Sequence, residues 1–329
     1  MRADGAIGTA RLYPHLLRRD ASRAGAMTGT TGAREGGRLK PVLNRTEAVV
    51  HDRLIKTCEP HGSSVYPKMR VADVLPITAS GIEDVEYSYA LKSHFDFLVV
   101  DGRDIPLFAV EFDGPLHGDA KQVARDAMKD RLCKTFDLPL LRVKEAHLEV
   151  YRTYDLLSWI VEQWFLREAF DEAQQRGHIP YDEDFDPLAI VSMESGGPRF
   201  PMWLSLDAQL ALQRLRTEGK VIDRVPSFTV STDDRGAYHG LFWLRVTPSK
   251  LVVVTTGARA QAFPVSLLEL VEQVGIIKVH DGVQQVLAGH RKAKAPQDLE
   301  QLLQRHKRLK LACAFGHGSG PPFDGSGGA

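Results

Sequence analysis

Two short apolar runs in the first half of the chain predict a β-hairpin. HFDFLVV (94–100) and PLFAVEFD (106–113) are rich in Val, Phe and Leu, and the polar DGRD between them supplies Asp and Gly for a turn. Side chains alternate along a strand, so we expect Glu111 and Asp113 to point the same way, with Asp96 alongside them. Three carboxylates at the rim of an apolar sheet repel one another, a cost that a bound cation or protonation offsets.

Other patterns place helices and strands around this hairpin. LNRTEAVVHDRLIKTC (43–58) has helical spacing of apolar residues and a cap at Asn44 or Thr46. The remaining patterns predict, in order, a strand within 63–75, a polar loop over 78–89, a helix over 119–136, a buried strand over 138–143 and a long amphipathic helix over 146–170. This order predicts an α/β fold in which a mixed sheet is flanked by helices.

The second half of the chain predicts a separate α+β domain. Residues 171–200 are rich in acids, Gly and Pro, which is typical of an interdomain linker. Beyond it we expect helices at 204–220, 263–274 and 296–312, and strands at 226–231, 238–247 and 251–256. The predicted organisation is a disordered tail (1–40), a first domain (41–170), the linker, an accessory domain (201–315) and a second disordered tail (316–329).

Composition narrows the class of protein. The chain has 42 Lys plus Arg and 42 Asp plus Glu, so no global basic field favours nucleic acid, although a local basic groove remains compatible with such a partner. The three cysteines, Cys58, Cys133 and Cys313, are far apart and favour reduced thiols in a cytoplasmic protein. The Arg-rich composition of the first forty residues would also suit an organellar transit peptide. A third alternative is that translation starts at Met27.

The hairpin acids suit metal-dependent hydrolysis of a phosphodiester. Carboxylates at two adjacent strand ends supply the hard oxygen ligands that Mg²⁺ or Mn²⁺ prefers, while positions for water stay free. Such a cation neutralises phosphate charge and lowers the pKa of a bound water. We therefore expect Asp96, Glu111 and Asp113 to be metal ligands and to belong to a catalytic site.

Four segments together resemble a known superfamily: HFDFLVV, VEFDGPLH, ARDAMKDRL and LPLLRV. Residues 43–143 resemble the restriction-endonuclease-like PD-(D/E)XK superfamily, and within it small bacterial domains of unassigned function related to very-short-patch repair endonucleases. The resemblance implies a metal-dependent nuclease, with Asp96 as the first metal-binding Asp and Glu111 as the acid of the (D/E)XK element. Asp113 occupies the position that usually holds Lys.

The resemblance leaves the supporting groups open. Lys129 on the following helix is a candidate to replace the missing lysine, and His117 is a candidate general acid or base, although a surface loop position explains His117 equally well. Glu47 matches an auxiliary ligand found in the superfamily, but an acid in the first turn of a helix is also a simple partner of the helix dipole. The candidate catalytic set is therefore Asp96, Glu111, Asp113, His117 and Glu47.

Phosphate contacts are expected from basic residues near the hairpin: Lys92, Arg125, Lys129 and Arg131. The basic segment QRHKRLK (304–310) is another candidate. A solvated helix face is the competing explanation for this segment and for Arg125 and Lys129. The expected function is a Mg²⁺-dependent endonuclease acting on DNA, with RNA as an alternative substrate, in repair, restriction or defence. Two alternatives stay open: a catalytically inactive nucleic-acid-binding module that kept the fold, and a protein-interaction scaffold.

Overall fold

The computed structural model describes residues 40–114, 120–151, 154–185, 193–194, 197–198 and 204–316. The chain divides into two compact units: Met1–Met202 with Gln261–Val265 (unit 1), and Trp203–Ala260 with Ser266–Ala329 (unit 2). Both units combine helices with a β-sheet, which confirms the predicted α/β class. No helix in the described part of the chain is long and apolar enough to cross a membrane.

Unit 1 begins with a capped helix and continues through the predicted hairpin. Asn44 caps the first helix: its side chain accepts a hydrogen bond from Glu47 N while Glu47 accepts one from Asn44 N. The main elements of unit 1 are α1 (Arg45–Cys58), β1 (Ser64–Arg70), α2 (Val71–Val74), α3 (Asp84–Lys92), β2 (His94–Val100), β3 (Pro106–Phe112), α4 (Ala120–Thr135), β4 (Leu140–Val143), β5 (Val150–Tyr151), β6 (Tyr154–Asp155), α5 (Leu156–Gln175), β7 (Met193–Glu194) and β8 (Gly197–Pro198).

The four-stranded sheet of unit 1 has the order β1-β2-β3-β4 and is mixed. β1 with β2 and β2 with β3 are antiparallel, while β3 and β4 are parallel and connected through α4. Leu98 lies opposite Ala109, and Ala109 lies opposite Leu140, so β2, β3 and β4 are aligned across one face. Crossovers of this kind place a helix over the face of the sheet.

Helices cover both faces of this sheet. On one face Leu98, Ala109 and Leu140 pack in one buried cluster with Leu132 and Cys133 of α4. On the other face the Phe108 ring of β3 lies 4.7 Å from the Trp164 ring of α5. The hairpin is therefore fixed from both sides, and the ends of β2 and β3 are held in register.

Two predicted elements of unit 1 differ from the structure. The predicted loop over 78–89 contains the start of α3, and the predicted helix over 146–170 begins only at Leu156 and continues to Gln175. A short β5–β6 pairing precedes α5, and Asp155 caps the helix by accepting a hydrogen bond of 2.9 Å from Ser158 N. This cap fixes the start of α5 ten residues later than apolar periodicity alone suggests.

Unit 2 is a four-stranded antiparallel sheet with helices. The predicted strands over 226–231, 238–247 and 251–256 are confirmed. The order of strands is β11-β10-β9-β12, and the helix α7 packs against β10 and β11. The elements are α6 (Leu206–Thr217), β9 (Ser227–Thr232), β10 (Tyr238–Thr247), β11 (Lys250–Ala258), α7 (Leu267–Leu287), α8 (Pro296–His306) and β12 (Lys310–Phe315).

The predicted helix over 296–312 is wrong in its last part. The helix α8 ends at His306, and residues 310–315 form the strand β12 instead. β12 pairs with β9, placing Leu311 opposite Ser231 and Phe315 opposite Phe228. Pairing with an available sheet edge outweighs the local helical pattern of this segment.

Candidate functional site

The two hairpin acids Asp96 and Glu111 meet at one end of the unit 1 sheet. Phe112 N donates a hydrogen bond of 2.9 Å to Asp96 Oδ2, and Asp96 N donates one of 3.2 Å to Glu111 Oε1. Each carboxylate is thus held by the backbone of the neighbouring strand. Asp96 and Glu111 together form the centre of the candidate site.

Lys129 supplies a buried positive charge to this pair from the helix α4. Its Nζ lies 2.7 Å from Glu111 Oε2 and donates a hydrogen bond of 2.8 Å to the carbonyl oxygen of His94. Only 6 % of Lys129 is exposed. The sequence makes Lys129 one candidate to replace the missing lysine, and the structure brings Lys129 into contact with Glu111.

Burial governs the protonation of Glu111. Only 8 % of this residue is exposed, and burial raises the pKa of its carboxyl group. The positive charge of Lys129 opposes this rise, while the negative charge of Asp96 adds to it. Lys129 therefore stabilises the ionised form of Glu111, which is the form that ligates a cation.

Lys68 is a second ammonium in the site, and the sequence analysis missed it. Its Nζ lies 2.6 Å from Asp96 Oδ1 and 3.0 Å from Glu47 Oε1. Burial lowers the pKa of Lys68, but the hydrogen bonds and charges of Asp96 and Glu47 outweigh burial and raise it overall. The proline at 67 inside a strand pattern is the sequence signal of an irregularity at this point.

Asp113 forms an ion pair with an arginine of β4. The strand β3 ends at Phe112, and the carboxylate of Asp113 lies 3.2 Å from Arg142 Nη1 on β4. Arg142 also contacts Asp126 at 3.5 Å and Asp130 at 2.7 Å, both on α4. Glu111 and Asp113 thus have different charged partners, Lys129 and Arg142, and the role of Asp113 as a metal ligand stays a prediction.

Glu47 and His117 are the two supporting residues that the sequence predicts for the site. Glu47 joins the site through Lys68 while it also closes the capping box of α1, so both explanations of this acid have a structural counterpart. His117 lies outside the described residues, and its role as general acid or base stays a prediction.

Three of the predicted phosphate contacts are exposed on helices. Lys92 and Arg125 are exposed, and Arg131 forms an ion pair of 3.2 Å with Glu86. Lys129 instead turns its ammonium toward the protein interior. The contact role of these four residues with nucleic acid stays a prediction.

The carboxylates of the site are possible ligands of a divalent cation. Within the described segments, no group of three or more His, Cys, Asp or Glu residues is arranged to hold a metal ion. Asp96 and Glu111 nevertheless place two carboxylates on neighbouring strands at one end of the sheet. Mg²⁺ is commonly held by one or two carboxylates, with water completing its shell. The chemistry of this pair fits Mg²⁺ or Mn²⁺.

Comparison with known proteins adds a family without an assigned activity. Residues 39–157 match the model of a family described as "Protein of unknown function (DUF2726)". The match covers the hairpin and all of the candidate site residues described above. No curated protein and no solved structure matches the chain.

Proposed function

We propose that unit 1 is a metal-dependent nuclease that hydrolyses phosphodiester bonds of DNA. The observation that carries the proposal is the contact of 2.7 Å between Lys129 Nζ and Glu111 Oε2, next to Asp96. The position two residues after Glu111, which usually holds lysine in the PD-(D/E)XK pattern, holds Asp113. A lysine from α4 places an ammonium beside the same acid.

The architecture of unit 1 also supports this proposal. The superfamily that residues 43–143 resemble implies a mixed sheet flanked by helices, and unit 1 has such a sheet with a parallel β3–α4–β4 crossover. The two acids that the resemblance assigns to metal binding lie on neighbouring strands of the hairpin. Fold and site therefore agree with one interpretation.

Asp96 and Glu111 are the residues that would hold the ion. When bound, Mg²⁺ or Mn²⁺ would neutralise phosphate charge and lower the pKa of a bound water. Asp96 is oriented by the amide of Phe112, and Glu111 by the amide of Asp96. Lys129 opposes the rise that burial causes in the pKa of Glu111. These residues preorganise two anionic oxygens before any substrate arrives.

The competing candidate is an inactive nucleic-acid-binding module. This candidate is considered because Asp113 stands where the PD-(D/E)XK pattern usually has a lysine. Asp113 is occupied by Arg142, and an ammonium reaches Glu111 from Lys129 instead. This arrangement supports the enzyme over the module.

A cleavage assay tests the proposal. Purified full-length protein with Mg²⁺ or Mn²⁺ is expected to nick or degrade plasmid DNA, and Asp96→Ala should lower the rate by about a hundredfold or more. Asp104→Asn is the matched control. Asp104 lies in the hairpin turn, has a φ of 63° that Asn tolerates, and uses its side chain to accept a hydrogen bond from Tyr66. Equal rates for wild type and Asp96→Ala would refute the proposal.

A further inference from the structure

Lys68 occupies a position that a cation would take in the candidate site. Its Nζ bridges Glu47 Oε1 at 3.0 Å and Asp96 Oδ1 at 2.6 Å. All three side chains are largely shielded, with 31 % of Lys68, 15 % of Glu47 and 20 % of Asp96 exposed. A positive charge already lies between two carboxylates of the site.

The backbone at Lys68 is unusual for a strand. Its φ is 54°, in the left-handed region that residues other than glycine, asparagine and aspartate rarely adopt. On either side the register is regular, with Pro67 opposite Phe97 and Met69 opposite Phe95. Unfavourable backbone geometry of this kind is concentrated at functional sites, where the surrounding structure maintains it.

Both oxygens of Asp96 accept a hydrogen bond in this arrangement. Asp96 Oδ2 accepts from Phe112 N, and Asp96 Oδ1 accepts from Lys68. A cation that coordinates Asp96 Oδ1 would therefore share this oxygen with Lys68 and lie close to its ammonium. The two positive charges would repel each other at that distance, so binding of one disfavours the other.

We propose that Lys68 is an internal counter-cation that competes with the divalent metal for Asp96, and so sets the metal affinity of the site. This inference rests on the proposed function. Lys68 keeps Glu47 and Asp96 together while the metal is absent. When the metal binds, the Lys68 ammonium leaves Asp96 Oδ1. A doubly charged cation then replaces a singly charged one beside the carboxylates. Lys68 is thus a positioning residue that tunes affinity.

Calorimetric titration with Mn²⁺ tests this competition directly. Lys68→Met keeps the length of the side chain and removes its charge, and we expect it to bind Mn²⁺ about three- to tenfold more tightly than wild type. Lys68→Gly also removes the charge and suits a positive φ, so it provides a second variant if the methionine variant folds poorly. A purely structural role of Lys68 would instead weaken Mn²⁺ binding in both variants.

Lys56→Met is the matched control for this titration. Lys56 is an exposed lysine on α1 that also pairs with a carboxylate, at 2.7 Å from Asp52, so its removal should leave Mn²⁺ affinity unchanged. If both Lys68 variants bind Mn²⁺ as tightly as wild type does, or more weakly, the inference about Lys68 is overturned. The proposed function is not affected by that result. If neither wild type nor the Lys68 variants bind Mn²⁺, the proposed function fails together with it.

Discussion

Lys129 and Glu111 depend on each other, because each is a charged group in a place with little water. Lys129 is 6 % exposed and Glu111 is 8 % exposed. The ammonium has only two oxygen partners among the described residues, the Glu111 carboxylate and the His94 carbonyl. Removing either charge leaves the other buried and without its counter-ion, which is more costly than losing both.

We therefore expect a strong coupling between substitutions at these two positions. Lys129→Met alone should destabilise unit 1 by about 3–5 kcal/mol, because it leaves Glu111 buried without its ion pair. The double variant Lys129→Met with Glu111→Gln should be destabilised by less than the sum of the two single variants. Urea denaturation of the four proteins measures this coupling, and strictly additive effects would contradict the contact.

The pH dependence of stability follows from the raised pKa of Glu111. Its pKa in the folded protein lies above the ordinary value of 4.5, so between the two values the folded state binds more protons than the unfolded state. The stability of wild type relative to Glu111→Gln should therefore fall as the pH rises upwards from 4.5. Denaturation of both proteins over a pH series measures the difference, and a constant difference would show that Glu111 titrates normally.

At the scale of elements, predictability followed the strength of the local signal. The hairpin was predictable because the two apolar runs bracket a polar turn, and its strands appear at 94–100 and 106–112. The helix α3 was missed because Ala90 is its only buried residue, which leaves almost no apolar periodicity. Its first residue follows Glu83, which is not one of the usual capping residues, so the start of the helix gave no sequence signal either.

The composition of the site was less predictable than its location. Asp96 and Glu111 stand out because acids interrupt apolar strands. The contact of Lys68 with Glu47 joins residues 21 positions apart. Pro67 signals an irregularity in the strand, but it does not predict the positive φ of Lys68 or its partner. The pairing of Asp113 with Arg142 likewise depends on where β3 stops and on the parallel placement of β4.

In unit 2 the contact between α7 and β10 depends on a glycine. A Cβ at Gly275 would lie 2.3 Å from Cε2 and Cζ of the buried Phe242 ring. Gly275→Ala should therefore destabilise unit 2 by about 1–3 kcal/mol, despite the higher helix propensity of alanine. Hydrogen exchange of the α7 and β10 amides measures the effect locally.

An exposed position in the same helix provides the control for this substitution. Lys278 lies on α7 and is exposed, so Lys278→Ala should leave exchange at β10 unchanged. Faster exchange is expected in Gly275→Ala alone. Equal protection in Gly275→Ala and wild type would mean that the Phe242 ring moves aside at little cost.

At the scale of the whole molecule, unit 1 is not a continuous stretch of chain. Residues 261–265, which follow β11 in sequence, belong to unit 1. Leu140 N donates a hydrogen bond of 2.7 Å to Ala262 O, and Arg142 N donates one of 2.7 Å to Gln261 Oε1. These bonds satisfy the outer edge of β4, and the buried Phe263 ring packs 5.3 Å from the Phe108 ring.

A fragment that ends at residue 202 should therefore be less stable than unit 1 within the full chain. We expect a loss of about 2–4 kcal/mol from two hydrogen bonds and one buried aromatic ring. Exchange of the β4 amides should be faster in the fragment. Phe263→Ala in the full chain removes only the ring, so it should lower the stability of unit 1 by less than the truncation does. Identical protection of the β4 amides in the fragment and the full chain would contradict the assignment of 261–265 to unit 1.

The central claim is that Asp96 and Glu111 form a cation site, and calorimetric titration of the full-length protein with Mn²⁺ tests it most directly. Wild type and the Asp104→Asn control should bind Mn²⁺ with the same affinity. Glu111→Gln keeps the shape of the side chain and removes its charge, so it should bind at least about tenfold more weakly. Mn²⁺ binding that is absent in wild type, or that is equal in wild type and Glu111→Gln, would contradict the claim.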